Sequence, residues 1–193
     1  GPAGSIISNI EDMSNWLITL MNNGKFKGKQ IIPEKIIKAT LEPTVALPNS
    51  GLENKGYKEI LNTYYGMGRF TSSYKGHLLT YHGGDLPGFH SQISAMPYDS
   101  LGVIVFVIGD QGSPLYNIIS YNIYERLLGT DLTPWSERGL KDQKEGKKLG
   151  KEGRSKSGSE IIVGTRPSHQ LTDYVGQYQN PAYGIINITL IDT

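Results

Sequence analysis

Three apolar runs, residues 78–82, 91–96 and 103–108, follow one another too closely for any arrangement but an antiparallel sheet. Pro87-Gly88 and Pro97-Tyr98-Asp99 mark the turns between them. Such connections are far shorter than the crossover that parallel neighbours require, so consecutive runs pair directly. Val103-Ile104-Val105-Phe106-Val107-Ile108 is the most continuous of the three and has the length of a buried strand. Ahead of them, Tyr65-Gly66-Met67-Gly68-Arg69-Phe70 alternates small or polar with large residues, and Ser72 to Gly76 is expected to turn the chain back. Residues 44–62, rich in Pro, Gly, Asn and Ser, are expected to form a surface loop.

Helices flank this block. Ser8 or Asn9 can cap a first helix, Glu11 and Asp12 put negative charge in its first turn, and Asn22-Asn23-Gly24 ends it. Met13, Trp16, Leu17, Leu20 and Met21 recur at helical spacing, which places Trp16 in the core. Pro33 opens a short helix from Glu34 to Leu41, ended by Glu42-Pro43. After the strands, Leu115, Ile118, Ile119, Ile123, Leu127 and Leu128 predict a helix that packs back on the sheet and closes at Gly129. Helices segregated from consecutive strands make the class α+β.

The pattern fails from about residue 137 to 160, where Lys, Glu, Gly and Ser alternate almost without apolar residues, so a solvated linker or a frayed polar helix is expected. Acids interspersed with its lysines, and the lack of aromatics, leave neither a phosphate stripe nor a stacking platform for nucleic acid. Beyond it, 174–178 and 185–191 read as strands joined by Asn180-Pro181-Ala182-Tyr183-Gly184. Two strands are not a stable domain, so the chain is expected to stop inside a second, β-rich module. With no initiator Met and no signal-like core, it is also expected to start mid-protein.

A net charge of +1 over 193 residues argues for neither a nucleic-acid nor a membrane-surface partner. The absence of cysteine removes disulfides, thiolate nucleophiles and cysteine metal sites, and leaves the compartment open. No apolar run approaches the roughly 18 residues of a membrane span.

The chemistry-bearing stretch is Tyr81-His82-Gly83-Gly84-Asp85-Leu86-Pro87-Gly88-Phe89-His90. An imidazole followed by two residues without Cβ lets a ligand approach backbone amides, which can serve as oxyanion donors. Taken alone, the same triplet also suits a turn with a solvent-facing histidine. His77, His82, Asp85 and His90 share one hairpin, but His77 and His82 are five positions apart and face opposite sides of a strand, so no metal site is expected.

Pro2-Ala3-Gly4-Ser5-Ile6-Ile7-Ser8, Asp12-Met13-Ser14-Asn15-Trp16-Leu17, Tyr65-Gly66-Met67-Gly68, His82-Gly83-Gly84 with Pro87-Gly88-Phe89, and Leu101-Gly102-Val103 follow one another in this order. In these motifs residues 1–129 resemble the C-terminal half of serine hydrolases related to class C β-lactamases, a family with penicillin-binding-protein-like esterases and D-amino-acid peptidases. Tyr174-Val175-Gly176-Gln177-Tyr178 and Pro181-Ala182-Tyr183-Gly184 are similar to the start of a lipocalin-like β-barrel module appended to these enzymes. The resemblance implies a β-lactamase/transpeptidase-like sheet flanked by helices over 1–129, a polar linker over 130–166 and a truncated module over 167–193.

It also implies a mechanism of three parts: a Ser-x-x-Lys on a helix, a Tyr or Ser two positions before Asn, and a Lys-Thr-Gly-like strand edging the site. Only the third has a counterpart here. His82 stands where the family has Lys or His, Gly83 where Thr is common, and Gly84 keeps the glycine, while the backbone N–H of Asp85 would serve the oxyanion hole. Ser72-Ser73-Tyr74-Lys75 fits Ser-x-x-Lys but falls in the expected turn, and Ser120-Tyr121-Asn122 and Tyr178-Gln179-Asn180 come after the His-Gly-Gly strand. The nucleophile is therefore expected outside this chain, in the missing N-terminal half of the domain.

Two functions follow as expectations. One is part of an acyl-transferring serine hydrolase that needs no cofactor and takes a small-molecule or peptide-like acyl substrate; the other is a non-catalytic binding or scaffold protein that keeps the fold. In the first, His82 ends a central strand and faces the cleft, not the sheet face that carries the Trp16 helix. Without its other half, the chain is expected to self-associate or to be marginally stable.

Overall fold

The computed structural model describes residues 4–48, 50, 52–109, 113–160 and 164–191, with 113, 114 and 154–160 described by backbone alone. The chain divides into two compact units, Gly1–Gln143 and Lys144–Thr193.

In the first unit, helix α1 (Ile10–Met21) is followed by a two-stranded ribbon, β1 (Lys25–Phe26) and β2 (Lys29–Gln30), and a short helix α2 (Glu34–Ala39). A six-stranded sheet comes next: β3 (Val45–Ala46), β4 (Ile60–Tyr65), β5 (Phe70–Tyr74), β6 (His77–Leu86), β7 (Phe89–Met96) and β8 (Leu101–Ile108). Spatial order equals chain order and every pair is antiparallel, as the short connections require. Helix α3 (Ser113–Leu128) and the start of α4 (Trp135–Glu160) complete the unit. The class is α+β, an antiparallel sheet flanked by helices.

Strand alternation divides the sheet into two faces. Tyr74, Leu79, Met96, Val103 and Val105 pack with Tyr116, Tyr121 and Tyr124 of α3 and with Trp135, which makes this face the main core. The opposite face carries α1, whose Leu17 sits so close over Gly102 that a Cβ there would lie 2.8 Å from a Leu17 methyl. Asn9 caps α1 by accepting the Asp12 N–H at 2.9 Å, and positive φ at Asn23 and Gly24 turns the chain out of it.

Three expectations change. Trp16 is 42% exposed, because the helix meets the sheet through Leu17 and the neighbouring indole falls on its flank. The stretch 44–62 is not all loop: it holds β3 and the start of β4, where Ile60 is buried in the core. The turn expected from Ser72 is only Lys75-Gly76, both at positive φ as a type I′ hairpin requires, and Ser72 to Tyr74 are strand. Thr133 and Trp135, beyond α3, are buried in the first unit, which runs to Gln143.

In the second unit, a capped 3-10 turn (Leu171–Tyr174) precedes the hairpin of β9 (Gly176–Asn180) and β10 (Gly184–Ile188). Asn180 Oδ1 accepts the Ala182 N–H at 2.8 Å and so closes the turn.

Candidate functional site

His82 lies in the middle of β6, since the strand continues through the glycines to Leu86. It does not end the strand, because Gly83 to Leu86 keep pairing with β7 as far as Leu86↔Phe89. On the other side, β5 pairs with β6 only from Tyr74↔His77 to Phe70↔Tyr81. Among the described residues, β6 from His82 to Leu86 therefore has no strand on that edge.

The register fixes what this edge presents. The hairpins closing at Tyr74↔His77 and Leu86↔Phe89 make the odd-numbered β6 residues bond toward β5 and the even-numbered ones toward β7. Beyond Tyr81, the N–H and C=O groups of Gly83 and Asp85 consequently point to the open edge.

Side chains follow the same alternation. His82 and Gly84 face the α1 side, and Gly83 and Asp85 the α3 side, where a Cβ on Gly83 would lie 3.2 Å from the Tyr116 hydroxyl. Beside the glycines is a groove of about 160 Å³ lined by Met13, His82, Gly83, Gly84, Ser91, Gln92, Ile93 and Phe106. The expectation that His82 turns away from the Trp16 helix is thus corrected: the groove lies on the helix-bearing face, and Met13 of that helix is one of its walls.

The His82 ring is held on several sides. Its Nδ1 is 2.7 Å from the Gly83 carbonyl oxygen, and its Nε2 is 3.2 Å from the Tyr65 hydroxyl. Phe70 stacks on the ring at 5.8 Å, and Tyr65 meets Phe70 edge-on at 4.7 Å. Tyr65 ends β4 beside Gly66, where a Cβ would lie 2.5 Å from the Glu42 carbonyl oxygen, so only glycine lets the chain pass there. The Asp85 carboxylate is turned away from the open edge: Oδ1 is 2.6 Å from His90 Nδ1 and Oδ2 accepts from Tyr116.

The other candidate motifs are engaged elsewhere. Ser72 is buried and its hydroxyl donates to Thr63 Oγ1 at 3.0 Å. Lys75 reaches the Glu125 carboxylate, and a strand with a tight turn does not build the one-turn Ser-x-x-Lys pairing of a helix. Ser120 donates to Gln92 Oε1, and Tyr178 lies on the hairpin of the second unit. His77 pairs with Asp99 at 2.9 Å and His90 with Asp85, and among the described residues no group of three or more His, Cys, Asp or Glu could hold a metal.

Composition and spacing did not disclose Tyr65 and Phe70 as the cradle of His82, nor Met13 and Phe106 as groove walls. The Tyr-Gly-Met-Gly stretch is itself a visible signal, but only the fold brings it to His82.

Neither the protein-family models nor the curated proteins contain a match to this chain. Among solved structures, the octameric penicillin-binding protein homologue from Pyrococcus abyssi matches with a TM-score of 0.52 at 19% identity, over 64% of this chain. The fold is penicillin-binding-protein-like. The chain spans 25% of the length of that homologue, and at this identity the likeness concerns the fold alone. Among the described residues no helix is long and apolar enough to cross a membrane.

Proposed function

We propose that this chain is part of an acyl-transferring serine hydrolase related to β-lactamases, acting on an ester, amide or D-peptide. It supplies the His82-Gly83-Gly84 strand edge and the Asp85 N–H as one oxyanion donor, while the nucleophile stands on a segment outside residues 1–193. The observation that carries this reading is the open β6 edge that begins at the His-Gly-Gly triplet, with backbone donors along it and a groove beside it. The penicillin-binding-protein-like fold supports it. In this reading residues 1–129 form the core of the hydrolase domain and 167–193 begin an appended β-rich module.

The alternative is a binding or scaffold protein that keeps the fold without the chemistry. The absence of a helical Ser-x-x-Lys favours it only if the longer protein lacks one as well.

Exposed Trp16 and Phe106, and the outer side of the apolar edge strand β8, which has no strand partner among the described residues, further support self-association of the isolated chain. The octameric state of the homologue points the same way.

The test is labelling of the full-length protein with a fluorophosphonate probe, together with turnover of an activated ester. Labelling at one serine outside residues 1–193, and loss of turnover in Gly84→Val with the fold retained, support the enzyme. An unlabelled, folded full-length protein establishes the scaffold.

A further inference from the structure

The two ring nitrogens of His82 face chemically different partners, and this settles where its proton sits in the neutral ring. The Gly83 carbonyl oxygen, 2.7 Å from Nδ1, can only accept, so Nδ1 carries the hydrogen. That leaves Nε2 as the acceptor, and the Tyr65 hydroxyl at 3.2 Å is its donor. Phe70 stacks on the imidazole at 5.8 Å with an interplanar angle of 30° and on Tyr81 at 5.2 Å, which restrains the ring from the side.

The Gly83 carbonyl is one of the groups aimed at the open edge of β6. An unmodified strand edge offers alternating donors and acceptors and is a template for an added strand. With one lone pair of its carbonyl engaged by His82 Nδ1–H, Gly83 keeps a full donor in its N–H and a weakened, partly covered acceptor in its C=O, and the next outward N–H is that of Asp85.

From this we infer that Tyr65 is a positioning residue: by donating to Nε2 it holds His82 in the Nδ1–H tautomer and over the Gly83 carbonyl, which makes this part of the edge a donor surface for one substrate oxygen. A pairing peptide strand would have to share the Gly83 acceptor with the imidazole. The assignment of a substrate oxygen rests on the proposed hydrolase reading, whereas the Tyr65–His82 link does not. It deepens that reading toward compact acyl groups, such as those of small esters, and away from extended peptides laid along β6.

The experiment is long-range nitrogen–proton correlation spectroscopy on the chain labelled with 15N-histidine. Only four histidines contribute, and His82→Gln identifies the signal of interest. The wild-type chain should show His82 as the Nδ1–H tautomer. Tyr65→Phe, which keeps the ring against Phe70, should shift the tautomer ratio about fivefold toward Nε2–H, the worth of one neutral hydrogen bond. Unchanged His77 and His90 signals in that variant confirm that the fold persists.

An Nε2–H tautomer in the wild-type chain overturns the inference without recourse to any variant, and so does a ratio indifferent to Tyr65→Phe. In the full-length protein, Tyr65→Phe should lower kcat for an activated ester more than it changes KM. If the tautomer shifts as expected and the full-length protein turns over no ester, the hydrolase reading falls and the Tyr65–His82 link stands.

Discussion

The ammonium of Lys75 stands 2.7 Å from Oε1 of Glu125, a carboxylate with no exposure to solvent. Tyr74 donates to the same oxygen at 2.8 Å, Thr133 donates through its hydroxyl and its N–H, and the Trp135 indole N–H reaches both Glu125 and the Tyr74 hydroxyl. One buried acid thereby joins the β5–β6 turn, α3 and the start of α4. Breaking a buried pair leaves an uncompensated charge, and the remaining donors offset only part of that cost. Lys75→Met should therefore destabilise the chain by about 3 kcal/mol in urea unfolding. A loss below about 0.5 kcal/mol would be that of a surface pair and would contradict this account.

The same carboxylate gives stability a dependence on acid. Burial by itself raises its pKa, but hydrogen bonds from Lys75, Thr133 and Tyr74 outweigh this and bring it from 4.5 to about 2. A depressed folded pKa contributes stability that is complete above the unfolded value, near 4.5, and is lost as pH falls toward about 2. The contribution is on the order of 3 kcal/mol. Melting temperatures measured across this window should fall steeply for the wild-type chain and less for Glu125→Gln. Parallel curves for the two would show that another group governs acid unfolding.

Local signals were sufficient for α1, α3 and the hairpins at Pro87-Gly88 and Pro97-Tyr98-Asp99, because caps, turn residues and apolar period agree there. They failed where tertiary contacts decide. Val45 and Ala46 form a strand only because β4 pairs with them, and Ile60 lies in a polar stretch whose partner, Tyr74, is supplied by β5. Trp16 fits a helical stripe as well as Leu17 does, and only the line of contact with Gly102 separates them. The His-Gly-Gly edge was legible as a triplet. Its open side was not, since that depends on where β5 stops pairing.

Gly102 tests the α1 side of the sheet. A methyl group there would meet Leu17 at 2.8 to 3.2 Å, yet the obstacle is the end of one side chain and not backbone. Gly102→Ala should cost about 1–3 kcal/mol by overpacking. Combined with Leu17→Ala it should cost clearly less than the sum of the two single changes, because the cavity left by leucine receives the new methyl. Additive losses in a double-mutant cycle would remove α1 from this position.

Ser72-Ser73-Tyr74-Lys75 is the one Ser-x-x-Lys match in the chain. Ser72 is 2% exposed, its hydroxyl donates to Thr63 Oγ1, and Lys75 is committed to Glu125, so this pair offers neither a free nucleophile nor a free base. An oxyanion donor without a nucleophile leaves most of the rate enhancement of acyl transfer unrealised. The isolated chain should give no burst with an activated ester, and Ser72→Ala should leave that baseline untouched. The same substitution strands Thr63 Oγ1 in a buried site and should lower stability by about 1 kcal/mol. A burst abolished by Ser72→Ala would place the chemistry on β5 and displace the His82 edge as the candidate site.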